Sequence, residues 1–135
     1  MSQSDISSRL SEHGVAPTPQ RLEIAEVLLA RPQHLSADQI LDLLREKGSR
    51  VSKATVYNTL HLFGERGLIR EVIVDPTRVF FDSTTHPHHH FYNIDSGELS
   101  DVPDDQIAVS RLPDLPPGTE QDSVEVLIKV RNRPV

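Results

Sequence analysis

The sequence predicts an α+β protein: an N-terminal winged helix-turn-helix domain over residues 1–84, then a small α/β dimerisation domain over residues 85–135. Three observations lead there. Residues 5–65 carry helical apolar periodicity broken by capping residues. Residues 68–81 read as two strands around Asp75-Pro76-Thr77, and the later sequence changes to short alternating segments. Charge divides as well: residues 1–70 carry 9 Lys/Arg and 8 Asp/Glu, residues 71–135 carry 5 and 12, so the net −6 lies almost wholly in the second half. A chain of 135 residues accommodates one domain or two small ones.

The elements follow in order. Residues 5–13 form a short amphipathic helix that Gly14 can end. Thr18 caps a second helix with Pro19 at its first position, where a missing N–H costs nothing; Leu22, Ala25, Val27, Leu28 and Leu29 give its apolar face and Pro32 stops it. Ser36-Ala37-Asp38-Gln39 is a capping box for a third helix, faced by Ile40, Leu41, Leu43 and Leu44 and closed by Gly48. Ser52 caps a fourth helix to about Glu65, with Val56, Leu60 and Phe63 as its core stripe and Lys53, Thr55, Tyr57, Asn58 and His61 on the other side. A hairpin from Leu68–Val74 and Arg78–Phe81 would be the wing, and the helix before it the recognition helix. An ordinary solvated helix face fits those polar residues equally well by pattern alone. In the second half, Phe91–Ile94 and Glu98–Val102 form a hairpin about Asp95-Ser96-Gly97, Asp104–Arg111 a short helix, residues 112–118 an extended connection, and residues 122–131 a strand. Its core is thin, so burial against a second copy is expected.

Chemistry concentrates at His86-Pro87-His88-His89-His90, which holds four of the seven histidines. Pro87 favours an extended backbone, and alternation then sets His88 and His90 on one face with His89 on the other. Two imidazoles on one strand face are half of a transition-metal site, although a polar His-rich loop has the same composition. The absence of cysteine excludes disulfides, thiolate zinc sites and a cysteine nucleophile. With no signal-like or membrane-length apolar run, a cytoplasmic protein that does not enter membranes is expected. No HExxH, no paired cleft carboxylates and no Gly-rich phosphate loop appear, so an enzyme is not expected.

Thr18-Pro19-Gln20-Arg21, Ala54-Thr55-Val56-Tyr57-Asn58-Thr59-Leu60 and Arg78-Val79-Phe80-Phe81-Asp82, followed by the histidine cluster, resemble the ferric uptake regulator (Fur) family over nearly the whole chain. The His-His-His-Phe run and Tyr-Asn-Thr-Leu-His are most similar to its iron response regulator branch. That resemblance implies a dimeric transcriptional regulator of iron homeostasis, with a regulatory metal site between the two domains. Carried over by motif, its ligands are His34, Asp82, His88 and His90, suited to Fe(II), Mn(II) or Zn(II). In the iron response branch the cue is haem, linked to the histidine run.

The resemblance also implies double-stranded DNA as partner, a pseudo-palindromic A·T-rich operator met by two recognition helices. Tyr57 would contact a thymine methyl and Asn58 pair with adenine, while Arg21, Lys53 and Thr55 position phosphates. Departures from the family bear on these expectations. Asn93 and Ser96 stand where many relatives have a CxxC, so no structural cysteine zinc is expected. A second site from His89, Asp101 and Asp122 lacks the family's fuller ligand set, since Ala108 falls where relatives carry a glutamate. Ala16 replaces a minor-groove lysine of some relatives, and Asn58 the commoner arginine, so the operator should differ from the usual one. A manganese- or peroxide-responsive regulator, and a winged-helix regulator without metal, are the alternative readings.

Overall fold

A computed structural model describes residues 2–134. The chain divides into two compact units, one ending at Thr85 and one beginning at His86; both mix helix or turn with sheet, an α+β fold.

In the first unit, α1 spans Gln3–Glu12, α2 Pro19–Leu29, α3 Ala37–Glu46 and α4 Lys53–Glu65. Each starts where a side-chain oxygen caps it. Thr18 accepts from the Arg21 amide, Ser52 from Thr55, and Ser36 forms a reciprocal box with Gln39. Helix α1 begins earlier than the expected Asp5, because Ser2 caps it with Asp5 as the returning partner. Gly14, Gly48 and Gly67 follow three of the helices at φ of 73–80°, the left-handed conformation that closes a helix without a Cβ clash.

Helices α1–α4 bury Ile6, Leu10, Ile24, Leu28, Ile40, Leu44, Val56, Leu60 and Phe63 in one cluster with Leu68 and Ile69. At roughly 1.5–3 kcal/mol for each fully buried large side chain, this cluster dominates the unit's stability. The hairpin comprises β2 (Arg70–Asp75) and β3 (Arg78–Asp82). β2 starts two residues later than the pattern implied, since Leu68 and Ile69 go into the core directly behind Gly67. A strand not expected from the sequence, β1 (His34–Ser36), pairs antiparallel with β3 and makes a three-stranded sheet of order β1-β3-β2.

The second unit is another three-stranded sheet, order β5-β4-β6, from β4 (His89–Asn93), β5 (Leu99–Val102) and β6 (Leu127–Val130). β5 runs antiparallel and β6 parallel to β4. Two expectations are corrected. The helix over Asp104–Arg111 is a single 3-10 turn, Asp104–Gln106. Beyond it come β-branched Ile107 and Val109, then Pro113, and residues 108–114 are all exposed, so a longer helix would gain no burial. The strand over 122–131 shortens to Leu127–Val130, and residues 107–126 carry no regular helix or strand.

Candidate metal centre

In the second unit, His88 precedes β4 and His90 lies within it; both are buried, with 7% and 3% exposure. Their rings lie 4.3 Å apart between centroids. β4–β5 pairing puts His90 directly opposite Asp101, so the two project on the same face of the hairpin. The Asp101 Oδ1 is 3.1 Å from His88 Nε2 and 3.4 Å from His90 Nε2. One ligand atom from each of these three residues lies within 4.8 Å of the others.

Proton bookkeeping shows that positive charge belongs between His88 and Asp101. His88 Nδ1 is 2.9 Å from the His86 carbonyl, an acceptor, so that nitrogen donates its proton. In neutral His88, Nε2 is then a bare lone pair aimed at a carboxylate oxygen. Such a contact is repulsive unless a positive charge sits between the two atoms, either a second proton or a metal ion. An imidazole whose Nδ1–H is held by a backbone carbonyl is also the usual arrangement of a ligand that coordinates through Nε2. The donor set of two imidazoles and a carboxylate fits a borderline divalent ion.

In the first unit, β1–β3 pairing makes His34 and Asp82 direct neighbours across the ladder. Asp82 is buried, and its Oδ1 accepts from the Thr84 amide at 2.8 Å, which fixes the carboxylate plane. The His34 ring meets Phe80 edge-on at 6.3 Å. The local pairs His34–Asp82 and His88–His90 are thus each brought together within one unit.

His89, Asp101 and Asp122, a possible second site by sequence, do not face one another within the second unit. His89 points to the opposite face from His90, and its Nδ1 accepts from the Val126 amide at 2.8 Å. Asp101 serves the His88–His90 face, and Asp122 is exposed in the irregular segment. Asp101 instead stands across the ladder from His90. Counting back through the Asp95-Ser96-Gly97 turn would have put it across from His90.

In the first unit, Tyr57 and Asn58 are exposed on α4, Tyr57 at 45%. Lys53 reaches the Asp38 carboxylate at 3.3 Å and lies 5.8 Å over the Tyr57 ring. Thr55 accepts from the Ser52 hydroxyl at 2.9 Å, and the Arg21 guanidinium donates to the Ala16 carbonyl at 2.9 Å. Arg21, Thr55 and Asn58 line a common groove of about 620 Å³ between the start of α2 and α4.

Fold and site together define a winged-helix protein with an imidazole–carboxylate centre. The Ferric uptake regulator family profile matches residues 12–113, and the chain belongs to that family. The peroxide operon regulator of Bacillus subtilis is 39% identical over 92 residues, 68% of this chain and 63% of that protein. The peroxide-responsive repressor PerR of Staphylococcus saprophyticus is 34% identical over 97 residues, 72% of this chain and 66% of that one. The chain therefore matches slightly less than two thirds of these relatives' length. Among solved structures, the ferric uptake regulator of Pseudomonas aeruginosa with manganese superposes at a TM-score of 0.72 with 27% identity, covering 95% of this chain and 98% of that one. The Vibrio cholerae ferric uptake regulator gives 0.74 and 26%, covering 93% and 98%. No described helix is long and apolar enough to cross a membrane.

Proposed function

We propose that this chain is a dimeric, metal-responsive, DNA-binding transcriptional repressor of the cytoplasm, in which one divalent ion is held jointly by His34 and Asp82 of the first unit and His88, His90 and Asp101 of the second. The observation that carries it is the His88–Asp101–His90 cluster, two buried imidazoles and a carboxylate with their ligand atoms gathered on one face of the β4–β5 hairpin. An ion shared in this way binds one arrangement of the two units better than others. The switch is no more than that difference in affinity. Fe(II), Mn(II) and Zn(II) all fit the donor set.

The DNA partner is a pseudo-palindromic, A·T-rich operator. Asn58 reads adenine, Tyr57 packs on a thymine methyl, and Arg21, Lys53 and Thr55 contact phosphates, Lys53 leaving Asp38 to do so. The second unit, with short strands and few buried apolar side chains, supplies the dimer contact.

A role in iron homeostasis after the fashion of the iron response branch rests on the sequence resemblance. Its haem cue draws little support from His88 and His90, which at 7% and 3% exposure present no open face to a porphyrin. Peroxide sensing has a specific support in the two relatives at 34% and 39% identity. The Asp101 side chain, 59% exposed, also leaves the cluster an edge that small solutes can reach. Fe(II) held there would supply the electron that opens the peroxide O–O bond and take it back as a ligand imidazole is oxidised, one peroxide oxygen entering the ring and the other leaving as water, so the product is read as a mass gain of one oxygen atom.

The test is operator binding at fixed salt for apo protein and with Mn(II), Zn(II), Fe(II) or haem. Wild type should bind tightly only with metal. His88→Ala with His90→Ala should lose the metal response. Asn58→Ala should weaken operator binding by about 1–3 kcal/mol with metal affinity intact. An operator affinity indifferent to every metal would leave a metal-independent winged-helix regulator and sink this reading.

A further inference from the structure

Gln33 and Ser83 take no part in the reading above, yet they flank the first unit's candidate ligands: Gln33 precedes His34, and Ser83 follows Asp82. The Gln33 amide donates to Ser83 Oγ at 3.0 Å, and the Ser83 amide donates to the Gln33 carbonyl at 3.0 Å, one step beyond the His34–Asp82 pair of the ladder. The Ser83 hydroxyl shares its proton between the carbonyls of Arg31 and Gln33, each at 3.2 Å. The Gln33 carboxamide donates to the carbonyls of Val27 at 2.8 Å and Leu28 at 3.1 Å, in the last turn of α2. Those belong to the carbonyls that a helix end leaves without an intrahelical donor. Both NH2 protons of Gln33 are used, and both face α2.

We propose that Gln33, acting with Ser83, is a positioning residue for the metal centre: it fastens the His34 strand to the end of α2, so that His34 and Asp82 stand as a preformed pair before any ion arrives. This rests on the assignment of His34 as a ligand. β1 has only three residues, too few to hold a fixed position by its own ladder, and without the carboxamide His34 must be ordered at the moment of binding. Residues that orient ligands in this way are worth about 10- to 100-fold in metal affinity.

The experiment is Mn(II) affinity of the full chain by competition with a fluorescent chelator, with apo-protein melting and His34 imidazole NMR signals alongside. Gln33→Met and Gln33→Glu remove both donors, Ser83→Ala removes the hydroxyl, and Ser83→Thr restores it. The first three should lose about 10- to 100-fold in Mn(II) affinity, with His34 signals broadened or doubled in the apo protein. Ser83→Thr should behave as wild type, and apo operator binding should be unchanged throughout. Three variants test the same point by different means, so one that fails to fold does not remove the test. A folded Gln33→Met or Gln33→Glu with wild-type Mn(II) affinity and a single sharp His34 signal, beside a His34→Ala that has lost metal, overturns the positioning role alone. A His34→Ala that retains wild-type affinity overturns the ligand assignment, and the positioning role falls with it.

Discussion

The two units are held together by different means. In the first, long aliphatic and aromatic side chains from four helices fill one continuous core, and the polar groups serve caps and turns. In the second, Tyr92, Leu99 and Val102 are the only buried apolar residues among those described, beside buried His88 and His90. A three-stranded sheet with so little apolar burial is marginal in isolation. The lesson is that a cation in the second unit would be a structural component as well as a signal. The first unit's core is filled by apolar side chains and needs no such component.

The most severe way to break that contrast is to damage each core. Phe63→Ala should cost about 3–5 kcal/mol in urea denaturation of the apo protein and abolish operator binding. Leu99→Ala should loosen β4 and β5 yet leave the α4 amides as protected from hydrogen exchange as in wild type. Loss of α4 protection in Leu99→Ala would mean that the units do not stand apart energetically. The next effect in size is metal itself. Mn(II) at 100 times its Kd should add about 2.7 kcal/mol to the transition it is linked to, and exchange should slow first in the amides of His90 to Tyr92. Equal slowing in α1 and α2 would blur the distinction.

The same contrast decides what could be read from the sequence. The helices were legible because their signals are local: Thr18-Pro19 and Ser52 carry caps within the segment they start, and Val56, Leu60 and Phe63 mark the buried side. Strand β1 was not, since His34-Leu35-Ser36 is too short for a period and its partner β3 is remote in the chain. The second unit holds less regular structure than its sequence pattern implies. Asp104–Arg111 has acidic residues suited to a helix start, but none of its residues is buried, so only one turn forms. At the candidate site, alternation alone gave the shared face of His88 and His90. Asp101 needed the hairpin register, and Gln33 needed the end of α2, neither of which a linear pattern contains.

The smallest predicted effect lies at the tip of the wing and separates the units by pH. Asp75 Oδ1 accepts from both the Thr77 amide and the Thr77 hydroxyl at 2.8 Å. The Thr77 side chain, then its backbone, hold the Asp75 carboxyl below its ordinary 3.8. A carboxylate with a lowered folded-state value contributes stability that is present above the unfolded value and lost as pH falls through the folded one. The wing turn should therefore stay formed throughout mildly acidic solution and open only in stronger acid, followed by the Thr77 amide shift in NMR. Metal release from the second unit should come earlier, because its imidazole ligands must be deprotonated to bind. Asp75→Asn keeps one acceptor oxygen but removes the charge, so it should erase the acid transition of Thr77 without moving the urea midpoint. Coincident acid transitions at Thr77 and at the metal would show that one event governs both units, and the separation drawn here between a packed unit and a liganded one would not hold.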